Sequence, residues 1–195
     1  MSRRILVVTA HPDPAPERLC RALAQAYASG AEKGRHQVSR IDIAQLEFPL
    51  LRTTEEFEKG DVPAALRDAS ESIRWAEHIV FVFPLWLGTM PALLKAFLEQ
   101  VIRPGIAFRY GEGGTGFTKA LLKGRSARLV VTMAMPPAVY RLWFLGHGIA
   151  GLRRSILNFV GIKPVRETLL GTAMSSPETR TRWLRQMESL GRGGR

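Results

Sequence analysis

The chain has 195 residues, 46% of them apolar and 23% charged, which is the balance of a folded globular protein long enough to bury one large core. No run approaches the ~18 apolar residues of a membrane-spanning helix. The N-terminal apolar stretch meets His11-Pro-Asp-Pro too early for an export signal, and the single cysteine, Cys20, excludes an internal disulfide. The expectation is a cytoplasmic protein with one domain over residues 1–190 and a frayed tail at 191–195.

In chain order, apolar runs alternate with helical stripes. Arg4–Ala10 is β-rich, and Leu19, Ala22, Leu23, Ala26 and Tyr27 then recur at helical spacing. A second β-rich run, Gln37–Ile43, precedes an irregular stretch, Ala44–Asp61, and a helix over about Val62–Glu77. Ile79–Phe83 is the third run, followed by the cleanest stripe: Met90, Leu93, Leu94, Phe97, Leu98 and Val101. A long irregular segment, Gly105–Ser126, leads to the run Arg128–Met133, and Ile149, Leu152, Ile156, Phe159 and Val160 form another stripe. Val165–Leu170 is the last run, and Trp183, Met187 and Leu190 close the chain on a helix. Continuous apolar runs suit strands buried on both faces. Five βα units in series predict an α/β fold, a three-layer doubly wound sandwich around a five-stranded parallel sheet. Ligands of such sheets bind at the carboxyl ends of the strands.

The +11 net charge favours anionic partners. The basic residues are scattered, however, with mild clusters at Arg153-Arg154 and toward the C-terminus, and no aromatic-interleaved basic motif argues for nucleic acid. The loop after the first run, Thr9-Ala10-His11-Pro12-Asp13-Pro14-Ala15-Pro16-Glu17, leads into a helix, and a helix N-terminus there is an anion site. Its three prolines offer no N–H, and Glu17 is expected to put a negative charge in the first turn, which Arg18 offsets. After the third run, Phe83 to Phe97 places Trp86 and Gly88 in a tight loop, with Thr89 as the expected N-cap of the next helix. Backbone N–H groups beside an aromatic suit a flat heterocycle with polar edges.

Other signals are weaker. Gly111-Glu-Gly-Gly-Thr-Gly116 fits G-x-G-x-x-G but lacks the strand and helix of a dinucleotide fingerprint, and reads as a loop. Cys20 lies in an apolar stripe and reads as buried, whereas His36 and His78 read as solvent-facing. Trp143 and Phe144 suit a pocket, a core or a dimer contact equally. No spacing resembles a metal site, and no G-x-S-x-G elbow is present.

Taken together, the His11-Pro12 element, Pro84–Phe97, Arg103-Pro104-Gly105 through Tyr110, Thr132, Tyr140, His147 and Leu157–Ile162 resemble the flavodoxin-like NAD(P)H:quinone oxidoreductases. The resemblance implies a flavodoxin-like sheet of order 2-1-3-4-5. It also implies a non-covalent flavin (FMN or FAD), NAD(P)H as co-substrate, a quinone-type acceptor, two-electron transfer through one site and a homodimer. By that resemblance His11, Arg18 and Leu19 hold the phosphate end. Pro84, Leu85, Trp86, Leu87 and Gly88 line the ring, and Thr132, Met133, Ala134, Met135 and Pro136 flank its other edge. Tyr140 and His147 match the catalytic pair, while Phe108, Tyr110 and Trp143 match the substrate pocket, the first two covering the partner's ring. The chain departs from the family in having Ala15 and Pro16 where hydroxyls contact the phosphate, Met133-Ala134-Met135-Pro136 in place of a glycine pair, and one extra residue between Tyr140 and His147. A one-electron flavodoxin and a non-catalytic regulatory protein, such as an ancillary subunit of an ion-efflux system, are the alternative readings.

Overall fold

The computed structural model describes residues 2–111, 118–172 and 175–195. In chain order the elements are β1 (Arg4–Thr9), α1 (Leu19–Lys33), β2 (Gln37–Asp42), α2 (Thr54–Lys59), α3 (Arg67–Trp75), β3 (His78–Pro84), α4 (Ala92–Val101), β4 (Phe108–Tyr110), β5 (Thr118–Ala120), β6 (Ser126–Met133), α5 (Pro137–Leu142), α6 (His147–Gly151), β7 (Val165–Gly171) and α7 (Pro177–Arg192). After α6 the helix continues as a π-helical stretch over Leu152–Asn158. Five strands pair in parallel in the order β2-β1-β3-β6-β7, and β4 and β5 form a separate antiparallel pair. Setting that small hairpin aside, the order is the expected 2-1-3-4-5.

Alternation along the strands feeds two cores. Ile5, Val7, Val80, Val82 and Val130 face α1 and α7, where they meet Leu23, Tyr27 and Met187. Leu6, Val8, Ile79, Phe81, Phe83, Leu129 and Val131 face the other layer, with Ile73, Phe97, Leu152 and Leu157. β3 is buried along its whole length, so its run is apolar without a period-two pattern. α1 and α7 approach unusually closely. A Cβ on Gly30 would lie 2.0 Å from the Glu188 carbonyl oxygen, and one on Gly191 2.0 Å from that of Tyr27.

Several expectations change. The helix predicted over 62–77 is a 3₁₀ turn at Ala64–Leu66 followed by α3. The irregular stretch 44–61 contains α2, and that helix buries no residue, so no apolar period announces it. His78 is only 2% exposed, not solvent-facing: its ring stacks on Tyr27 at 6.4 Å between centroids. The tail is docked rather than frayed. The Arg195 main-chain oxygen accepts from Tyr27 Oη at 3.0 Å and from Arg128 Nε at 2.9 Å, and Arg3 donates to the Gly194 oxygen at 3.0 Å. The Gly111–Gly116 motif falls largely outside the described residues. No helix among the described residues is long and apolar enough to cross a membrane.

Candidate functional site

Three loops leave the carboxyl edge of the sheet side by side, after β1, β3 and β6. Backbone hydrogen bonds hold them: Ala10 N–H donates to the Val82 oxygen at 2.8 Å, and Leu85 N–H to the Thr132 oxygen at 2.7 Å. Their side chains also meet. His11 lies edge-on to Trp86 at 6.1 Å between ring centroids, and Cys20 Sγ and Thr132 Oγ1 are 3.3 Å apart. Cys20 is buried as expected, and burial pushes its thiol up to about 11, so it is a neutral packing group rather than a nucleophile.

The loop after β1 arranges itself around Asp13. Its carboxylate accepts from Ala15 N–H at 2.9 Å and pairs with Arg18 through Nε at 2.7 Å. These bonds hold the carboxyl below its ordinary range. Asp13 N–H in turn donates to His11 Nδ1 at 3.0 Å. Partial burial lowers the His11 pKa, so the ring is neutral near pH 7 and carries its proton on Nε2. α1 begins only at Leu19. No side chain caps it and its first turn holds no acidic residue, because Glu17 stops short of the helix, contrary to expectation. The free N–H groups and the positive dipole end therefore remain available to an anion, beside Arg18.

After β3 the chain makes a tight hairpin. Trp86 and Thr89 exchange two backbone bonds, each 3.0 Å, and Leu87 and Gly88 between them have φ of 47° and 80°, as a type I′ turn requires. Thr89 is part of this turn and not an N-cap; α4 starts after Pro91, without a side-chain cap. The N–H groups of Leu87 and Gly88 find no acceptor among the described residues. Trp86 is half-exposed and Leu87 fully so.

Tyr140 supports this turn from beneath. It is 1% exposed, its hydroxyl donates to the Gly88 oxygen at 3.0 Å, and it accepts from Ile149 N–H at 3.1 Å. The hydroxyl is thus fully engaged within the chain, and its place is that of a positioning group rather than one open to a substrate. α6 presses on the same turn: a Cβ on Gly148 would lie 2.1 Å from the Gly88 oxygen. Neither the Gly88–Tyr140 bond nor the Gly148 contact is readable locally, since each joins segments some fifty or sixty residues apart in sequence. His147, at the start of α6, is exposed and does not pair with Tyr140.

On the far edge, Thr132 and Met133 are buried and the Met133 oxygen accepts from Thr172 N–H at 2.7 Å, while Ala134 and Pro136 are exposed. Pro84 is buried at the end of β3. The remaining predicted residues lie apart. Phe108 is buried against Phe159 at 5.0 Å and Tyr110 at 5.6 Å between centroids, beyond the C-terminal end of α4 and away from Trp86. Trp143 is 81% exposed on the surface after α5, which excludes the core reading.

A family model described as flavodoxin-like fold matches residues 3–190. A ribosyldihydronicotinamide dehydrogenase-like protein of Penicillium crustosum is 27% identical over 178 residues, 79% of this chain and 64% of that protein, so the match spans under two thirds of its length. An FMN-dependent NADH:quinone oxidoreductase of Macrococcus caseolyticus is 25% identical over 97% of this chain and 98% of its own. Among solved structures, an NAD(P)H:quinone oxidoreductase from Methanothermobacter marburgensis superposes with a TM-score of 0.75 at 22% identity, each chain covered fully.

Proposed function

The chain belongs to the flavodoxin-like fold family, and on that premise we propose that it is a flavin-dependent NAD(P)H:quinone oxidoreductase. The observation that carries this reading is the Trp86–Thr89 turn, with two unpartnered N–H groups beside an exposed indole, set across from the uncapped N-terminus of α1. A flat ring with polar edges and an anionic tail needs these two features, and the residues fit it. The names of relatives support FMN as the flavin and NADH as donor. When bound, the flavin supplies acceptance of hydride from the nicotinamide and its delivery to a quinone.

The chain's own residues position and polarise. Arg18 and the N–H groups opening α1 would hold the phosphate, replacing the hydroxyls missing at Ala15 and Pro16. Leu87 and Gly88 N–H would stabilise negative charge on the ring's polar edge. Trp86 and His11 wall one end, and the backbone from Thr132 to Pro136 the other. Tyr140 fixes the turn, so its role is positional. His147, exposed beside this turn, is left as a group for the acceptor. Phe108, Tyr110 and Trp143 would act across a homodimer, since none of their rings packs on Trp86 among the described residues.

An absorbance titration with FMN and FAD, followed by anaerobic NADH or NADPH and then a quinone, tests the reading. Flavin bands that form, bleach with the nicotinamide and return with the quinone are expected. A protein that takes up neither flavin overturns it in favour of a non-catalytic binding role.

A further inference from the structure

At the opposite, amino edge of the sheet lies a cavity of about 460 Å³, lined by Arg3, His78, Ser126, Arg166 and Arg195 among others. Its character is set by its basic side chains. Arg3, Arg166 and Arg195 border it, and Arg128 sits behind it, buried among β6, β7 and the docked tail. None of these four guanidinium groups has an Asp or Glu side chain as partner among the described residues. The carboxylates of this edge are engaged elsewhere: Glu77 with Arg4, and Glu188 with Lys33 and Arg192. Arg128 donates to Thr168 Oγ1 at 2.8 Å and to the Arg195 main-chain oxygen at 2.9 Å.

A second observation points the same way. His78, 2% exposed, lines this cavity and accounts for only one of its nitrogens: Nδ1 is 2.8 Å from Ser126 Oγ, while Nε2 is buried with no partner. A buried polar atom left without a bond costs free energy unless a ligand or water completes it. In the tautomer in which Ser126 donates to Nδ1, Nε2 carries the proton and is a donor. A recess with three bordering cations and one free buried donor is complementary to a compact oxyanion.

We propose that this cavity binds a small polyanionic ligand of the phosphate class, a phosphomonoester or pyrophosphate group. Arg3, Arg166 and Arg195 neutralise it, and His78 Nε2 donates to one oxygen. The recess favours a compact anion over a polymer backbone lying on the surface. The site is separated from the carboxyl-edge loops by the full length of β1, β3 and β6, and it does not depend on the redox reading.

Protein saturated with FMN is titrated with pyrophosphate at constant ionic strength, with chloride as the balancing salt, by calorimetry and by NMR of the histidine ring protons. Saturation leaves the flavin site unavailable to the probe, and if flavin does not bind, the His78 signals still report this cavity. Expected are saturable binding, a shift of His78 that tracks saturation, and affinity lowered about tenfold or more by Arg166→Gln, a surface change that leaves the fold intact. Arg180→Gln, on exposed α7 away from the cavity, is expected to leave the affinity unchanged. Absence of saturable binding, an unmoved His78, or equal losses from Arg166→Gln and Arg180→Gln each overturn the proposal.

Discussion

The Tyr140 hydroxyl donates to Gly88 and accepts from Ile149 while its ring is buried. Tyr140→Phe keeps the ring and strands both partners, a part-buried carbonyl and a buried N–H. The expected cost is about 1–3 kcal/mol in urea unfolding. Because the turn that would hold the flavin loses its prop, flavin affinity is expected to fall more than the rate of reduction at saturating flavin; a slowed rate at unchanged affinity would return Tyr140 to a direct catalytic role. His78 makes a prediction in pH. Burial, reinforced by Arg128, Arg3, Arg166 and His36, lowers its pKa from 6.5 to about 3. Between those values the unfolded chain binds a proton that the folded one refuses, so this contribution to stability is full above pH 6.5 and is lost as pH falls toward 3. The slope is up to about 1.4 kcal/mol per pH unit. Chemical denaturation from pH 7 to 4, without phosphate, should show a shallower decline in His78→Gln than in the wild type; parallel curves would remove His78 as the cause.

Helix packing shows what the sequence could and could not disclose. Glycine inside a helix ordinarily costs about 1 kcal/mol relative to alanine, so Gly→Ala is a stabilising change wherever space allows. Gly151 in α6 has nothing within 4 Å of a would-be Cβ, whereas Gly30 has the Glu188 carbonyl at 2.0 Å. Gly151→Ala is expected to raise the unfolding free energy measured by denaturant titration, and Gly30→Ala to lower it by about 1–3 kcal/mol as α7 is forced off α1. Equal gains from both would mean that the helices separate at no cost. The strands and the large helices were legible because each buries a face that the apolar pattern records, and β3, apolar throughout, was the plainest. α2, which buries nothing, left no such record. The same holds within the candidate site. Trp86 and Gly88 announce a tight turn after a strand, so the turn was legible. The start of α1 was not, because three prolines and Glu17 suggested an earlier and more acidic first turn than the one that forms. Nor was the docking of the tail, whose partners, Tyr27 and Arg128, are 168 and 67 residues away.

For the molecule as a whole, charge and apolar surface oppose each other. Leu87, Leu142, Trp143 and Leu145 are each at least 66% exposed, and Val139 and Phe144 lie among them. The Tyr140–Gly88 bond ties the turn that carries Leu87 to α5. Large apolar side chains exposed on neighbouring segments beside a candidate site are what an interface would cover, and a self-complementary pairing across a two-fold axis lets one patch cover its own copy. A net charge of +11 repels two such copies, and salt screens that repulsion over a Debye length of about 10 Å at 0.1 M. Self-association through this face should therefore strengthen as salt rises, the reverse of an interface held by ion pairs. Sedimentation velocity across a salt series is expected to show a dimer favoured at high salt. The paired change Leu142→Glu and Trp143→Glu should leave a monomer of unchanged circular dichroism. If the double variant still dimerises, the face is not the self-interface; if its loss of dimer leaves quinone turnover intact, Phe108 and Tyr110 do not act across the two-fold axis.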